Sequence, residues 1–223
     1  MTLPPLPPLP PLPPLPPLSL LPPEARFLAL GDSYTIGEQV ATGERWPTQL
    51  VARLREAGTA VADPEIIATT GWTTDELAAG IVARAPRGPY ELVTLLIGVN
   101  NQYRGRDAEE YRGEFRALLR QAIEFADHQP ARVIVVSIPD WGATTFAAGR
   151  DRPAIGRAID AFNAVGRADA QAAGAAFVDI TPVSREMHAG WEAPDGLHPG
   201  GAQYAAWTRL ILPEAHRVLG RTR

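Results

Sequence analysis

Phe27-Leu28-Ala29-Leu30-Gly31-Asp32-Ser33 sets four apolar residues directly against a glycine and two short polar side chains. A strand with one wet face alternates apolar and polar residues. This run does not alternate, so both of its faces are covered, as in a parallel sheet held between helix layers. Gly31 then ends the run and permits a tight turn into the polar pair.

The same pattern recurs downstream. Residues 65–68, 92–97, 132–138 and 176–180 read as four more short buried strands. Amphipathic segments lie between them. Asp107 is read as a helix cap, with Glu110 three residues on and Tyr111, Phe115, Leu118, Ala122 and Phe125 along one face. Pro153 opens a further helix whose inward residues are Ile155, Ile159, Phe162 and Val165. Tyr204, Trp207, Ile211 and Leu219 mark a last one. This alternation predicts an α/β domain over residues 24–223: a three-layer α/β/α sandwich around a five-stranded parallel sheet. Ligands of such sheets gather at the carboxyl ends of the strands, so reactive residues are expected just after them.

Residues 1–23 are of another kind. Five Leu-Pro-Pro triplets fill positions 3–17, and 12 of the chain's 23 prolines fall before Glu24. Proline fixes φ and lacks an amide donor, so neither helix nor central strand forms there, and polyproline II or disorder is expected. Such a tract serves as a spacer or as a ligand for an aromatic groove; here it is read as a low-complexity extension. Prolines interrupt the leucines as far as Pro17 and no basic residue precedes Arg26, so no export signal is read. No stretch approaches the ~20 apolar residues of a membrane span. Stable membrane insertion is not expected, and a cytoplasmic location is.

The 223 residues carry a formal charge of −4 and no cysteine. The mild acidity gives no reason to expect nucleic acid as partner. The missing thiols exclude disulfides, a cysteine nucleophile and thiolate metal sites. No His/Asp/Glu cluster has metal-ligand spacing, and the acidic run Asp107, Glu109, Glu110 is read as a helix N-terminus. Oligomeric state is not legible.

Four clusters stand where chemistry is expected: Gly31-Asp32-Ser33, Gly71 with Trp72, Gly98-Val99-Asn100-Asn101, and Asp195-Gly196-Leu197-His198 before the last helix. A serine hydroxyl needs an adjacent base, and that base needs an orienting acid. An aspartate three residues before a histidine bonds the imidazole locally and sets its tautomer. The oxyanion of an acyl-transfer intermediate needs donors, for which the amides of Ser33 and Gly71 and the side chain of Asn100 are candidates.

Together, in this order, the four clusters resemble the blocks of the GDSL/SGNH hydrolase superfamily, over roughly residues 27–210. The resemblance implies a flavodoxin-like fold and hydrolysis of small-molecule carboxylic esters or thioesters without a cofactor. It implies Ser33 as nucleophile, His198 as base, Asp195 as its orienter, and Ser33, Gly71 and Asn100 as oxyanion donors. The same triad serves acyltransferases and carbohydrate O-acyl esterases, so those remain alternatives, with an adaptor acting through the Leu-Pro-Pro tract as a non-enzymatic one. Two positions depart from the family pattern: Asn101 stands where an aspartate is usual, and Tyr34 where the family name has leucine.

Trp72, Asn101 and Tyr103 adjoin the oxyanion loops and are taken as possible substrate-lining residues, with Arg104 beside them. Asp140 is read equally as a turn cap or a substrate contact. Ser184, His188 and Asp179 form a conceivable rival triad but read as a polar loop, and His128 and His216 as surface residues.

Overall fold

The computed structural model describes residues 24–186 and 188–220. The expectations for the proline-rich segment 1–23 lie outside these. The strands are β1 (Phe27–Gly31), β2 (Glu65–Ala68), β3 (Leu92–Leu96), β4 (Val133–Val136) and β5 (Ala176–Val178). All pair in parallel, in the spatial order β2-β1-β3-β4-β5. The helices are α1 (Ser33–Ile36), α2 (Trp46–Glu56), α3 (Thr74–Arg84), α4 (Val99–Tyr103), α5 (Ala108–Phe125), α6 (Arg152–Ala173), α7 (Thr181–Ser184) and α8 (Gly201–Gly220). Helices α2 and α8 pack together on one face of the sheet, and α3, α5 and α6 pack in series on the other. The expected three layers and five parallel strands are present.

Continuous apolar character translates into burial only in the middle of the sheet. Every residue of β1, β3 and β4 is buried, whereas β2 and β5 are the edges and are partly exposed. β4 is shorter than the apolar run 132–138. Arg132 belongs to a 3₁₀ turn, and Ile138 leaves the ladder because Asn163 takes both its N–H (2.8 Å) and its carbonyl (3.0 Å).

The predicted helices form around the expected residues. Asp107 caps α5 by accepting from Glu109 N and Glu110 N at 2.9 and 2.8 Å, and Tyr111, Phe115, Leu118 and Ala122 are buried. Pro153 lies in the first turn of α6, capped by Asp151, and Gly174 ends that helix in the left-handed conformation. Helix α8 runs on through Pro213 and buries Tyr204, Trp207 and Ile211 against α2 and the sheet.

Register positions the site. Gly31 at the end of β1 pairs with Ala68 at the end of β2 and with Leu96 at the end of β3. Three carboxyl ends therefore finish in one row, with the chain crossing from one side of β1 to the other. That is the crevice in which doubly wound sheets hold ligands.

Candidate active site

The turn after β1 is built by close contacts. A Cβ on Gly31 would lie 2.5 Å from the Leu96 carbonyl oxygen and against Thr35 Oγ1, so only glycine lets α1 close onto the strand ends. Asp32 caps α1: its Oδ1 accepts from Tyr34 N at 3.0 Å, and its carbonyl accepts from Thr35 N and Ile36 N. The carboxyl is completely buried, and burial pushes it up to about 7 against the opposing Tyr34 hydrogen bond. Ser33 is the first helical residue, nearly buried, and its N–H has no acceptor among the described residues.

The loop before α8 is organised by one carboxylate. Asp195 Oδ1 accepts the amides of Leu197 and His198, each at 3.0 Å, and Oδ2 lies 2.6 Å from His198 Nδ1. Partial burial raises the Asp195 pKa, but the His198 ring and the two amides outweigh it and hold the group below the usual carboxylate range. With Nδ1 engaged as donor, Nε2 of the imidazole is the acceptor. The Tyr34 ring lies tilted against the imidazole, 5.7 Å between centroids, and is backed by Trp207 at 6.0 Å. The ring of His198 is thus held at one edge by Asp195 and packed against Tyr34.

Two further loops supply donors. Gly71 adopts φ +85°, and its N–H has no acceptor among the described residues. Asn100 follows Gly98, whose φ of +127° and 2.6 Å approach of a would-be Cβ to the Tyr111 ring admit only glycine. One proton of the Asn100 amide goes to the Trp72 carbonyl at 2.9 Å, which leaves the second to point elsewhere. Ser33, Gly71, Asn100 and His198 all line one cavity of about 180 Å³, whose remaining wall is mostly apolar and includes Val99, Tyr103, Trp141, Phe146 and Leu197. A wider groove of about 490 Å³ between α3 and α5, lined by Thr74, Ala78 and Leu118 among others, has neither a serine nor a histidine in its wall.

Of the three residues taken as possible lining, the structure brings only Tyr103 to the cavity. Trp72 is turned onto α3, where its ring covers Gly80 so closely that no Cβ would fit. It reaches the site only through its carbonyl. Asn101 is fully buried and points away: its Oδ1 accepts from Thr74 N at 3.1 Å, and its Nδ2 donates to Thr74 Oγ1 at 2.6 Å. An amide suits this place because it accepts from the first amide of α3 and donates to a hydroxyl at once, which a carboxylate does not. Arg104 likewise serves the loop, bonding the Gly71 carbonyl at 2.7 Å and pairing with Glu76.

Asp140 is a turn cap, accepting from Gly142 N and pairing with Arg185, each at 2.8–2.9 Å. Ser184, His188 and Asp179 do not meet: Ser184 bonds Thr181 O and Asp140 N, Asp179 pairs with Arg167, and His188 lies on Trp191 near Glu186. His128 is exposed, and His216 is half-buried on α8. Sequence reading missed Phe146 and the role of Tyr34. A lone phenylalanine in a polar loop carries no periodicity, whereas Tyr34, an aromatic beside a predicted nucleophile, was a usable signal. Among the described residues no group of three or more His, Asp or Glu could hold a metal ion, and no helix is long and apolar enough to cross a membrane.

The TesA crystal structure superposes with a TM-score of 0.68 at 20% identity, covering 86% of this chain and 99% of that one. The psychrotrophic esterase EstA from Pseudoalteromonas sp., in a structure inhibited by monoethylphosphonate, gives 0.68 at 14% identity, covering 88% and 100%. A catalytic mutant of Axe2, an acetylxylan esterase from Geobacillus stearothermophilus, gives 0.63 at 17% identity, covering 88% and 94%. No curated protein sequence is significantly similar to the chain. The model of the GDSL-like lipase/acylhydrolase family matches residues 29–206, a span that holds all four clusters. The chain belongs to the GDSL-like lipase/acylhydrolase family of carboxylic ester hydrolases.

Proposed function

We propose that the protein hydrolyses small carboxylic esters or thioesters through an acyl-enzyme on Ser33. The observation that carries this reading is the shared cavity: Ser33 and His198 line it together, and Asp195 holds the imidazole from its far edge. Ser33 Oγ attacks the acyl carbon while His198 Nε2 takes its proton. The oxyanion is met by the N–H groups of Ser33 and Gly71 and the second proton of the Asn100 amide. The imidazolium then protonates the leaving alcohol or thiol, leaving the acyl group on Ser33. A water molecule, deprotonated in turn by His198, attacks that ester, releases the acid and returns the proton to Ser33.

The size of the cavity favours a short acyl group. At about 180 Å³ it falls below the ~300–1,000 Å³ of sites that enclose drug-sized ligands. An acyl chain of a few carbons fills it, so acetyl to butyryl esters, including O-acetyl sugars, are the substrates to try first. Assays of p-nitrophenyl acetate, butyrate and octanoate with Ser33→Ala and His198→Ala test the reading. Each substitution is expected to lower kcat on the order of 10³-fold or more. Turnover retained in Ser33→Ala sinks the assignment, and added alcohols or sugars that trap the acyl group would show transfer instead of hydrolysis.

A further inference from the structure

Three aromatic residues that line the cavity also meet one another at its edge. Tyr103 and Trp141 stand 5.3 Å apart between ring centroids, Trp141 and Phe146 6.2 Å, and Tyr103 and Phe146 6.5 Å. Tyr103 is 48% exposed and Phe146 37%, so this side of the wall is open to solvent. Over all three rings lies the guanidinium of Arg150, at 5.7, 5.3 and 5.0 Å from the centroids of Tyr103, Trp141 and Phe146. Arg150 does not itself line the cavity; it stands above the residues that do.

The cation is unusual for this chain. Two other arginines lie over rings, and each also faces a carboxylate: Arg26 over Tyr90 faces Glu65, and Arg167 over Phe177 pairs with Asp179. Arg150 has no carboxylate partner among the described residues. The acidic groups around the mouth are engaged elsewhere. Glu192 accepts from Thr145 N and Oγ1 at 2.6 and 2.9 Å, Asp195 holds His198, and Glu38 accepts from Thr70. The next arginine, Arg152, donates to the Thr144 carbonyl at 2.9 Å. A guanidinium resting on ring faces keeps its edge donors free and its charge unneutralised, in a protein whose net charge is −4. Planar donors of this kind match carboxylate or phosphate oxygens.

We propose that Arg150 is a specificity-determining residue that recruits esters carrying a carboxylate or phosphate on the part that projects from the cavity. The inference rests on the hydrolase reading, with the short acyl group inside and the alcohol portion outside, beside the Tyr103–Trp141–Phe146 wall.

Three acetate esters of one leaving-group shape test it: 4-acetoxybenzoate, 4-acetoxyphenyl phosphate, and the neutral methyl 4-acetoxybenzoate. The quantity is the kcat/KM ratio of each anionic ester to the neutral one, in the native protein and in Arg150→Gln. Comparing ratios between proteins removes the intrinsic reactivity of the leaving groups. Loss of Arg150 is expected to lower the ratio about tenfold, the size of one partly exposed charge contact, through KM rather than kcat. The neutral ester should be turned over within twofold of the native rate, and Arg150→Lys should restore part of the preference. Added NaCl should erode the preference in the native protein only. The larger drop among the two anionic arms tells carboxylate from phosphate. An equal loss on all three esters would show that Arg150 merely props the aromatic wall, and an unchanged ratio would show that it does not meet the substrate; either overturns the proposal. Turnover of the neutral ester by the native protein reports on the hydrolase reading separately. Calorimetric binding of 4-acetoxybenzoate to Ser33→Ala, with and without Arg150→Gln, reads the contact without turnover, and equal Kd values there also overturn it.

Discussion

Asp32→Asn isolates one buried carboxyl from everything else that titrates. Asparagine has the same shape and keeps an Oδ1 able to accept from Tyr34 N, so the cap of α1 survives, but it cannot ionise. In the native protein the carboxyl is fully buried, its Oδ2 has no hydrogen-bond partner among the described residues, and it titrates near 7 instead of 3.8. The folded state therefore binds this proton more tightly than the unfolded chain does. Stability from this group is greatest below about pH 4, declines as pH rises, and is fully lost above about 7. At ~1.4 kcal/mol per pH unit, the whole change amounts to about 4 kcal/mol. Urea unfolding of both proteins at intervals from pH 4.5 to 8.5 reads it directly. The stability of Asp32→Asn minus that of the native protein should climb by about 3 kcal/mol over that range, since the other titrating groups are common to both. A constant penalty for the unpaired amide would shift the curve but not tilt it. A difference flat to within ~0.5 kcal/mol, or one that falls with pH, would refute the reasoning that burial dominates at Asp32.

Other outcomes follow from the same geometry. If the Asn100 amide is the oxyanion donor of the proposed reaction, Asn100→Ala should lower kcat on the order of 10²–10³-fold in steady-state assays with KM little changed. Asp195→Asn keeps the loop shape but loses the charge on His198 Nδ1, and kcat is expected to fall by roughly 10³–10⁴-fold. Gly31→Ala drives a Cβ to 2.5 Å from the Leu96 carbonyl, a backbone atom that cannot yield cheaply, so urea midpoints should drop by the equivalent of about 1–3 kcal/mol. Trp46→Ala empties a fully buried site between α2 and the sheet and should cost about 3–5 kcal/mol in the same assay.

Local pattern carried much of the architecture. Phe27–Gly31 and Leu92–Leu96 are unbroken apolar runs because helices cover both of their faces, and Asp107 announces α5 because an N-cap is satisfied by amides two and three residues away. Two helices were not singled out although their signals are local. Helix α3 opens on a Thr73–Glu76 capping box with a 2.9 Å bond, and α2 has Pro47 in its first turn and Trp46, Leu50 and Leu54 along one face. The edge strands β2 and β5 read like central ones, since position in the sheet order is not written in a four-residue segment.

Sequence alone set the local geometry of the groups proposed to react. Asp195 and His198 are three residues apart and bond through local geometry, and Ser33 sits where a buried strand must turn, so each is set by its neighbours in the chain. What only the tertiary structure decided is which side chains surround them. Trp72 and Tyr103 are both aromatics beside glycine-rich loops; packing against Gly80 draws one into the α3 interface, while the other joins Trp141 and Phe146 at the cavity wall. Asn101 turned to the amide of Thr74, and Arg150, 46 residues after Arg104 in the chain, came to rest over Tyr103. Most of these contacts join different elements of the fold, and they are chosen by which packing buries the most apolar surface while pairing most polar groups, a sum over the whole fold that no single stretch of residues contains.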